Sequence, residues 1–145
     1  GALTVTAAGA LVHALRHLNI TRIGFASPYV PAINDMAIRF LDDMGVTTLH
    51  RADVEGTLDN QGQGALTPRD VANLGLRADH ADAQAVVLSC TDMRSVEAID
   101  ALEKQLGKPV ITSNQALMFE ALDRLGLEAT ITGFGQLLAP QKVPA

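Results

Sequence analysis

The sequence predicts an α/β domain: a doubly wound, four-stranded parallel sheet with helices on both faces. Two observations carry that reading. Short apolar runs recur along the chain, and each is followed by a segment whose apolar residues return at helical spacing. The clearest is Ala85-Val-Val-Leu-Ser-Cys90, a buried-type strand leading through a turn into the helical pattern of Val96 to Leu106. Strands joined through helices run parallel and are covered on both faces.

The elements follow in order. Thr4 and Thr6 are caps for a helix over Ala7 to Leu18, with Leu11, Val12, Leu15 and Leu18 on one face. Arg22 to Ala26 is strand one, and Ser27-Pro-Tyr-Val-Pro31 is a loop held extended by its prolines. Ile33 to Met44 returns to helical spacing with Met36, Ala37, Phe40 and Leu41 inward, and Gly45 stops it. Val46 to Arg51 is strand two by its β-branched run. Ala52 to Leu66, with Gly56, Asn60, Gly62 and Gly64, reads as a long loop of the kind that is functional or mobile.

Thr67-Pro-Arg-Asp70 starts a helix that runs to Asp79, with Thr as cap and Pro at the first position. Strand three is Ala85 to Ser89. Gly107 closes the helix after it, Lys108 to Ser113 is strand four, and Asn114 caps a last helix through Leu125, closed by Gly126. The tail from Glu128 carries little pattern, apart from a turn at Gly133-Phe-Gly135. The whole is a flavodoxin-like αβα unit over residues 1–145, undivided by repeat or linker.

Composition narrows the function. The chain has 145 residues, 48% hydrophobic and 19% charged, enough for one domain with a real core and too apolar for a disordered polymer. A net charge of −5 offers no electrostatic footprint for nucleic acid or anionic membrane. Aromatics at 3%, with no Trp, leave no base-stacking surface. One cysteine makes no internal disulfide, which points to a reducing cytoplasm. Neither a membrane-spanning run nor a basic leader is visible.

In such sheets ligands bind beyond the carboxyl ends of the strands. Those ends carry Ser27-Pro-Tyr29, Asp59-Asn60, Ser89-Cys90-Thr91 and Thr112-Ser113-Asn114. No Gly-x-Gly-x-x-Gly and no Walker loop occurs, so no nucleotide cofactor is expected. His13 and His17 have helical i, i+4 spacing, but no third ligand is obvious and they read as helix surface rather than a metal site.

Hydroxyls, amides and one thiol suit a small carboxylate: donors hold its oxygens while the sulfur moves a proton or attacks carbon. A thiol near a helix N-terminus is activated, yet a lone strand-end cysteine reads equally as a small buried hydrophobe. Tyr29 is either a ligand contact or a structural ring with a wet hydroxyl, and Asn60 either a ligand contact or a turn residue. Arg94 pairing with Asp92 is the plainest use of those charges.

Ser27-Pro-Tyr29, Asp59-Asn60, Val87-Leu-Ser-Cys-Thr91 and Lys108-Pro-Val-Ile-Thr-Ser-Asn-Gln-Ala116 together resemble the aspartate/glutamate racemase superfamily from about Thr4 to Leu138. The nearest branch is maleate cis–trans isomerase, with arylmalonate decarboxylase and the ectoine-utilisation protein as neighbours. The resemblance implies cofactor-independent chemistry on a small dicarboxylic acid, with two cysteines facing each other across it, one from each half of a two-domain enzyme. Cys90 matches the cysteine of the C-terminal half. Tyr29 and Asn60 match residues that hydrogen-bond a substrate carboxylate, and Thr91 would offer its backbone N–H to a carboxylate oxygen.

One thiol cannot do two-sided chemistry. The resemblance therefore implies the C-terminal half of a longer enzyme, with an apolar face that meets the missing half or is covered in a homo-oligomer. Isomerase, decarboxylase, amino-acid racemase and a non-catalytic carboxylate-binding module remain as readings.

Overall fold

A computed structural model describes residues 2, 4–128 and 130–140. Its sheet has four strands, β1 (Arg22–Ser27), β2 (Thr47–Asp53), β3 (Ala85–Leu88) and β4 (Val110–Thr112), in the order β2-β1-β3-β4. Every pair is parallel, with Phe25 beside Val87 and Val87 beside Ile111. Six helices surround it: α1 (Ala7–His17), α2 (Pro31–Asp43), α3 (Asn60–Ala65), α4 (Pro68–Ala78), α5 (Ile99–Leu106) and α6 (Ser113–Arg124). The doubly wound α/β architecture is therefore the one the sequence predicts.

Strand side chains alternate between faces, and this splits the core in two. Ile23, Phe25, Ala85, Val87 and Ile111 point to one side, where they bury Leu15 of α1, Leu41 of α2 and Phe119 of α6. Ala26, Val86, Leu88 and Val110 point to the other, with Leu74 of α4 and Leu102 of α5. β3 is buried along its whole length, whereas edge strand β2 buries only Ala52.

Caps set two helix starts as expected. Thr6 accepts from the Gly9 N–H at 3.1 Å, and Thr67 and Asp70 close a reciprocal capping box. The last helix differs from expectation. Thr112, not Asn114, is its cap, accepting from the Gln115 N–H at 3.2 Å while Gln115 Oε1 accepts from the Thr112 N–H. β4 ends at Thr112, one residue earlier than the sequence suggests, and α6 begins at Ser113, which moves the cap back to Thr112.

Two further expectations are corrected. The stretch read as a plain loop contains α3, started by the Asp59 carboxylate accepting from the Gly62 N–H at 2.8 Å. Two glycines lower its intrinsic helix propensity and hide it from pattern reading. Arg94 pairs with Glu97 through both its Nε and Nη2, at 2.9 and 3.0 Å, rather than with Asp92. The i, i+3 spacing on the 3₁₀ turn Val96–Ala98 brings those two together.

The tail is more structured than its composition implies. Leu137 and Leu138 are buried against the α1/α6 face. Glu103 of α5 accepts the backbone N–H of Val110 at 2.9 Å and that of Gln136 at 2.9 Å, pinning the tail beside β4. Burial raises the Glu103 pKa above the ordinary glutamate value, and these hydrogen bonds only partly oppose it. The folded protein then holds this proton more tightly than the unfolded chain. The contribution is present below the ordinary glutamate value and is lost as pH rises through the raised one. Glu103→Gln should flatten the stability curve in that window, measured by urea unfolding at a series of pH values. An unchanged slope would reject the assignment.

Candidate active site

The carboxyl edge of the sheet is built from three strand ends. After β1 the chain turns at Ser27 and Pro28 to present Tyr29. After β3 it runs through Ser89, Cys90 and Thr91, and after β4 it enters α6 at Ser113. Tyr29, Ser89, Cys90, Thr91 and Ser113 form the polar end of a pocket of about 350 Å³. Its other wall is hydrocarbon, from Leu11, Phe25, Met36 and Phe40 among others. A pocket with an apolar body and a few convergent polar groups is the usual form of a small-molecule site.

The Tyr29 loop is held by a buried polar network. The Tyr29 N–H donates to Ser27 Oγ at 3.1 Å, and the Ser27 hydroxyl donates to Asn34 Oδ1. Asn34 Nδ2 in turn donates to the Tyr29 carbonyl at 3.2 Å and to Asp53 Oδ1 at 2.8 Å. Ser27 and Asn34 are both fully buried. A satisfied buried network of this kind rigidifies what it holds. Asn34 was not legible in the sequence, because nothing local marks a helical asparagine as the partner of two strand ends.

Thr91 is exposed at the pocket rim, and its carbonyl accepts from Asn114 Nδ2 at 3.0 Å. Asn114 therefore ties the loop after β3 to the first turn of α6 instead of capping that helix. The positive end of the α6 dipole lies at this rim. The chain after Cys90 does not enter a helical turn until Val96, so the helix start beside the sulfur is that of α6 and not that of α5.

Cys90 is 2% exposed, so of the two readings its strand-end position allows the structure gives the buried one. Strand alternation places it on the side of Val86 and Leu88, in the same buried cluster as Met93 and Ala26. Its surroundings are not wholly apolar. The thiol donates to Gln63 Oε1 at 3.6 Å, and Tyr29 lines the same pocket. Burial, then Cys90, then the charge of Asp92 raise the Tyr29 hydroxyl well above the ordinary phenol range. Tyr29 is thus a persistent hydrogen-bond donor at neutral pH.

The structure brings Tyr29, Cys90 and Thr91 to one pocket. Asn60 is exposed at the first position of α3 and does not line that pocket. It lies one turn before Gln63, on the same face of the helix. Gln63 is the residue that sequence reading missed: it was hidden in the glycine-bearing stretch and reaches the sulfur only because α3 folds back. Among the described residues no group of three or more His, Cys, Asp or Glu gathers to hold a metal ion. His13 instead pairs with Asp123 at 3.1 Å, and the rings of His13 and His17 lie against Phe119.

The site sits on a four-stranded parallel αβα unit in the order 2-1-3-4, and its likeness to known proteins shows it to be a domain of the aspartate/glutamate racemase superfamily. The chain belongs to the arylmalonate decarboxylase family, whose model matches residues 2–138. It is 28% identical over 142 residues to the maleate isomerase of Alcaligenes faecalis, covering 97% of this chain and 56% of that protein. Among solved structures it resembles a cysteine-to-alanine variant of the maleate isomerase Iso from Pseudomonas putida S16 with maleate. The TM-score there is 0.89 at 27% identity, over 94% of this chain and 55% of that one. It also resembles a cysteine-to-serine mutant of Nocardia farcinica maleate cis–trans isomerase with a covalently bound succinylcysteine intermediate. There the TM-score is 0.86 at 27% identity, over 91% of this chain and 54% of that one. The chain thus spans about half the length of the relatives it matches.

Proposed function

We propose that this chain is one half of a cofactor-independent cis–trans isomerase of a small dicarboxylic acid of the maleate type, with Cys90 as its proton-handling thiol. The observation that carries this reading is a sulfur at the carboxyl edge of the sheet, its thiol donating to the Gln63 amide oxygen and lining one pocket with Tyr29 and Thr91. The second thiol of the reaction belongs to a counterpart half. Exposed Ile33 and Met36, on the pocket's apolar side, would be covered by that half or by a second copy of the chain.

The chemistry follows from the alkene. The counterpart thiolate adds to one alkene carbon, forming an S–C bond and moving the π pair to the neighbouring carbon. That carbanion, delocalised into its carboxylate, takes the proton of Cys90. The C–C bond is then single and turns. Cys90 as thiolate removes the proton again, the double bond re-forms as the trans isomer, and the counterpart sulfur leaves. Addition followed by protonation yields a succinyl group on sulfur, the adduct named for the Nocardia relative. Tyr29 donates to one carboxylate, and the Thr91 backbone N–H serves a carboxylate oxygen from the rim.

Tyr29→Phe should raise KM for maleate about 10- to 100-fold, the scale of one hydrogen bond to a charged group, with a smaller change in kcat. An unchanged KM would remove Tyr29 from the binding set. The single thiol in the sequence also supports a second reading, a carboxylate-binding module without turnover. Turnover and binding of maleate, aspartate and an arylmalonate, followed by NMR on the protein assembled with its counterpart half, separate the two. Binding of maleate without conversion selects the module, and loss of carbon dioxide from the arylmalonate selects a decarboxylase.

A further inference from the structure

Gln63 is 6% exposed, and both ends of its amide are engaged. Its Nε2 donates to the Leu58 carbonyl at 3.1 Å, and its Oε1 accepts from the Cys90 thiol at 3.6 Å. A backbone carbonyl can only accept, so the amide nitrogen belongs on the Leu58 side and the oxygen is left facing sulfur. The side chain rides on α3, whose start is fixed by the Asp59 cap. Gly64 of the same helix lies close to the loop after β3, where an added Cβ would stand 3.7 Å from the Asp92 carbonyl. The amide is therefore held from two directions and has no freedom to flip without losing a bond.

We propose that Gln63 is a positioning residue that holds the thiol proton of Cys90. The negative end of a fixed carbonyl dipole aimed at sulfur favours S–H over S⁻. The titratable neighbours are Tyr29 from the loop after β1 and Asp92 from the loop after β3, while the α4 and α5 members of the Cys90 cluster are hydrocarbon. Among the described residues Gln63 is the side-chain amide whose oxygen accepts from the Cys90 thiol. Its use in isomerisation rests on the role of Cys90 proposed above, but its hold on the proton does not.

The chain has one cysteine, one tyrosine and no tryptophan, so the ultraviolet absorbance of the thiolate reports Cys90 once tyrosinate is subtracted at its own longer-wavelength band. The test titrates the parent, Gln63→Met and Gln63→Glu by that signal, with Cys90→Ala as blank and circular dichroism as the folding control. Gln63→Met should move the thiolate midpoint to lower pH, raising the thiolate fraction about three- to tenfold at a fixed pH below it. Gln63→Glu, nearly the same shape with a negative charge, should move it to higher pH, and decides alone if the Met variant does not fold.

Opposite displacements support the proposal. Midpoints that coincide with the parent's overturn it, even if iodoacetamide then labels the variants faster, since that shows Gln63 only covers the sulfur. The two proposals fail separately: Cys90→Ala with parental maleate turnover removes the catalytic reading and leaves the displacements standing.

Discussion

Cys90→Ala is expected to abolish conversion of maleate to fumarate in the protein assembled with its counterpart half, by about 10²- to 10⁴-fold, the usual worth of a positioned proton donor. The fold should survive. The substitution removes one buried heavy atom, and β3 keeps its ladder to β1 and β4 through the backbone. Proton NMR of the alkene signals measures the turnover, and far-ultraviolet circular dichroism with a urea melt measures the fold. Maleate converted at the parental rate by a folded Cys90→Ala protein ends the catalytic reading. A variant that loses turnover and unfolds at once says only that the sulfur was packing, which Cys90→Ser, nearly isosteric but a far weaker acid, then resolves.

Gly24→Ala is expected to destabilise the domain by about 3 kcal/mol, at the upper end of the range for overpacking a core. Gly24 lies in β1, on the side that meets α4. A Cβ there would stand 2.0 Å from the carbonyl oxygen of Ala78 and 2.9 Å from its carbonyl carbon, so the clash is with backbone at the end of α4. No side chain can rotate away; the helix itself must lift from the sheet. Lifting it also loosens Arg77, which donates to the Asp53 carbonyl at 3.1 Å at the end of β2. Gly75→Ala is the control, because its Cβ meets Leu102 Cδ1 at 2.9 Å, the tip of a side chain that can yield. Urea midpoints should therefore fall sharply for Gly24→Ala and little for Gly75→Ala. Equal midpoints would reject the close strand–helix approach as the reason for glycine at this position.

The arrangement of those two glycines shows how unevenly the chain announces its structure. Both are invisible as packing devices in the sequence, since a strand glycine and a helix glycine carry no mark of what lies opposite. By contrast, the order of strands and helices was readable throughout. Apolar period and cap chemistry are written within a few residues of each other, as at Thr67 and Asp70. The position of Cys90 at the end of a buried strand was legible for the same reason.

What surrounds that cysteine was not. Gln63 reaches it across 27 residues, and Asn34 joins strand ends on β1 and β2 that lie 7 and 19 residues away. Glu103 holds a tail 33 residues on. The sequence alone determined an αβα sheet and put a thiol, a phenol and a run of hydroxyls at its carboxyl edge, because backbone periodicity and local capping decide those things. Only the tertiary structure decided that the thiol is covered, which amide accepts its proton, and which asparagines brace the loops. Those outcomes depend on satisfying buried polar groups between segments far apart in the chain, and no local pattern encodes such pairings.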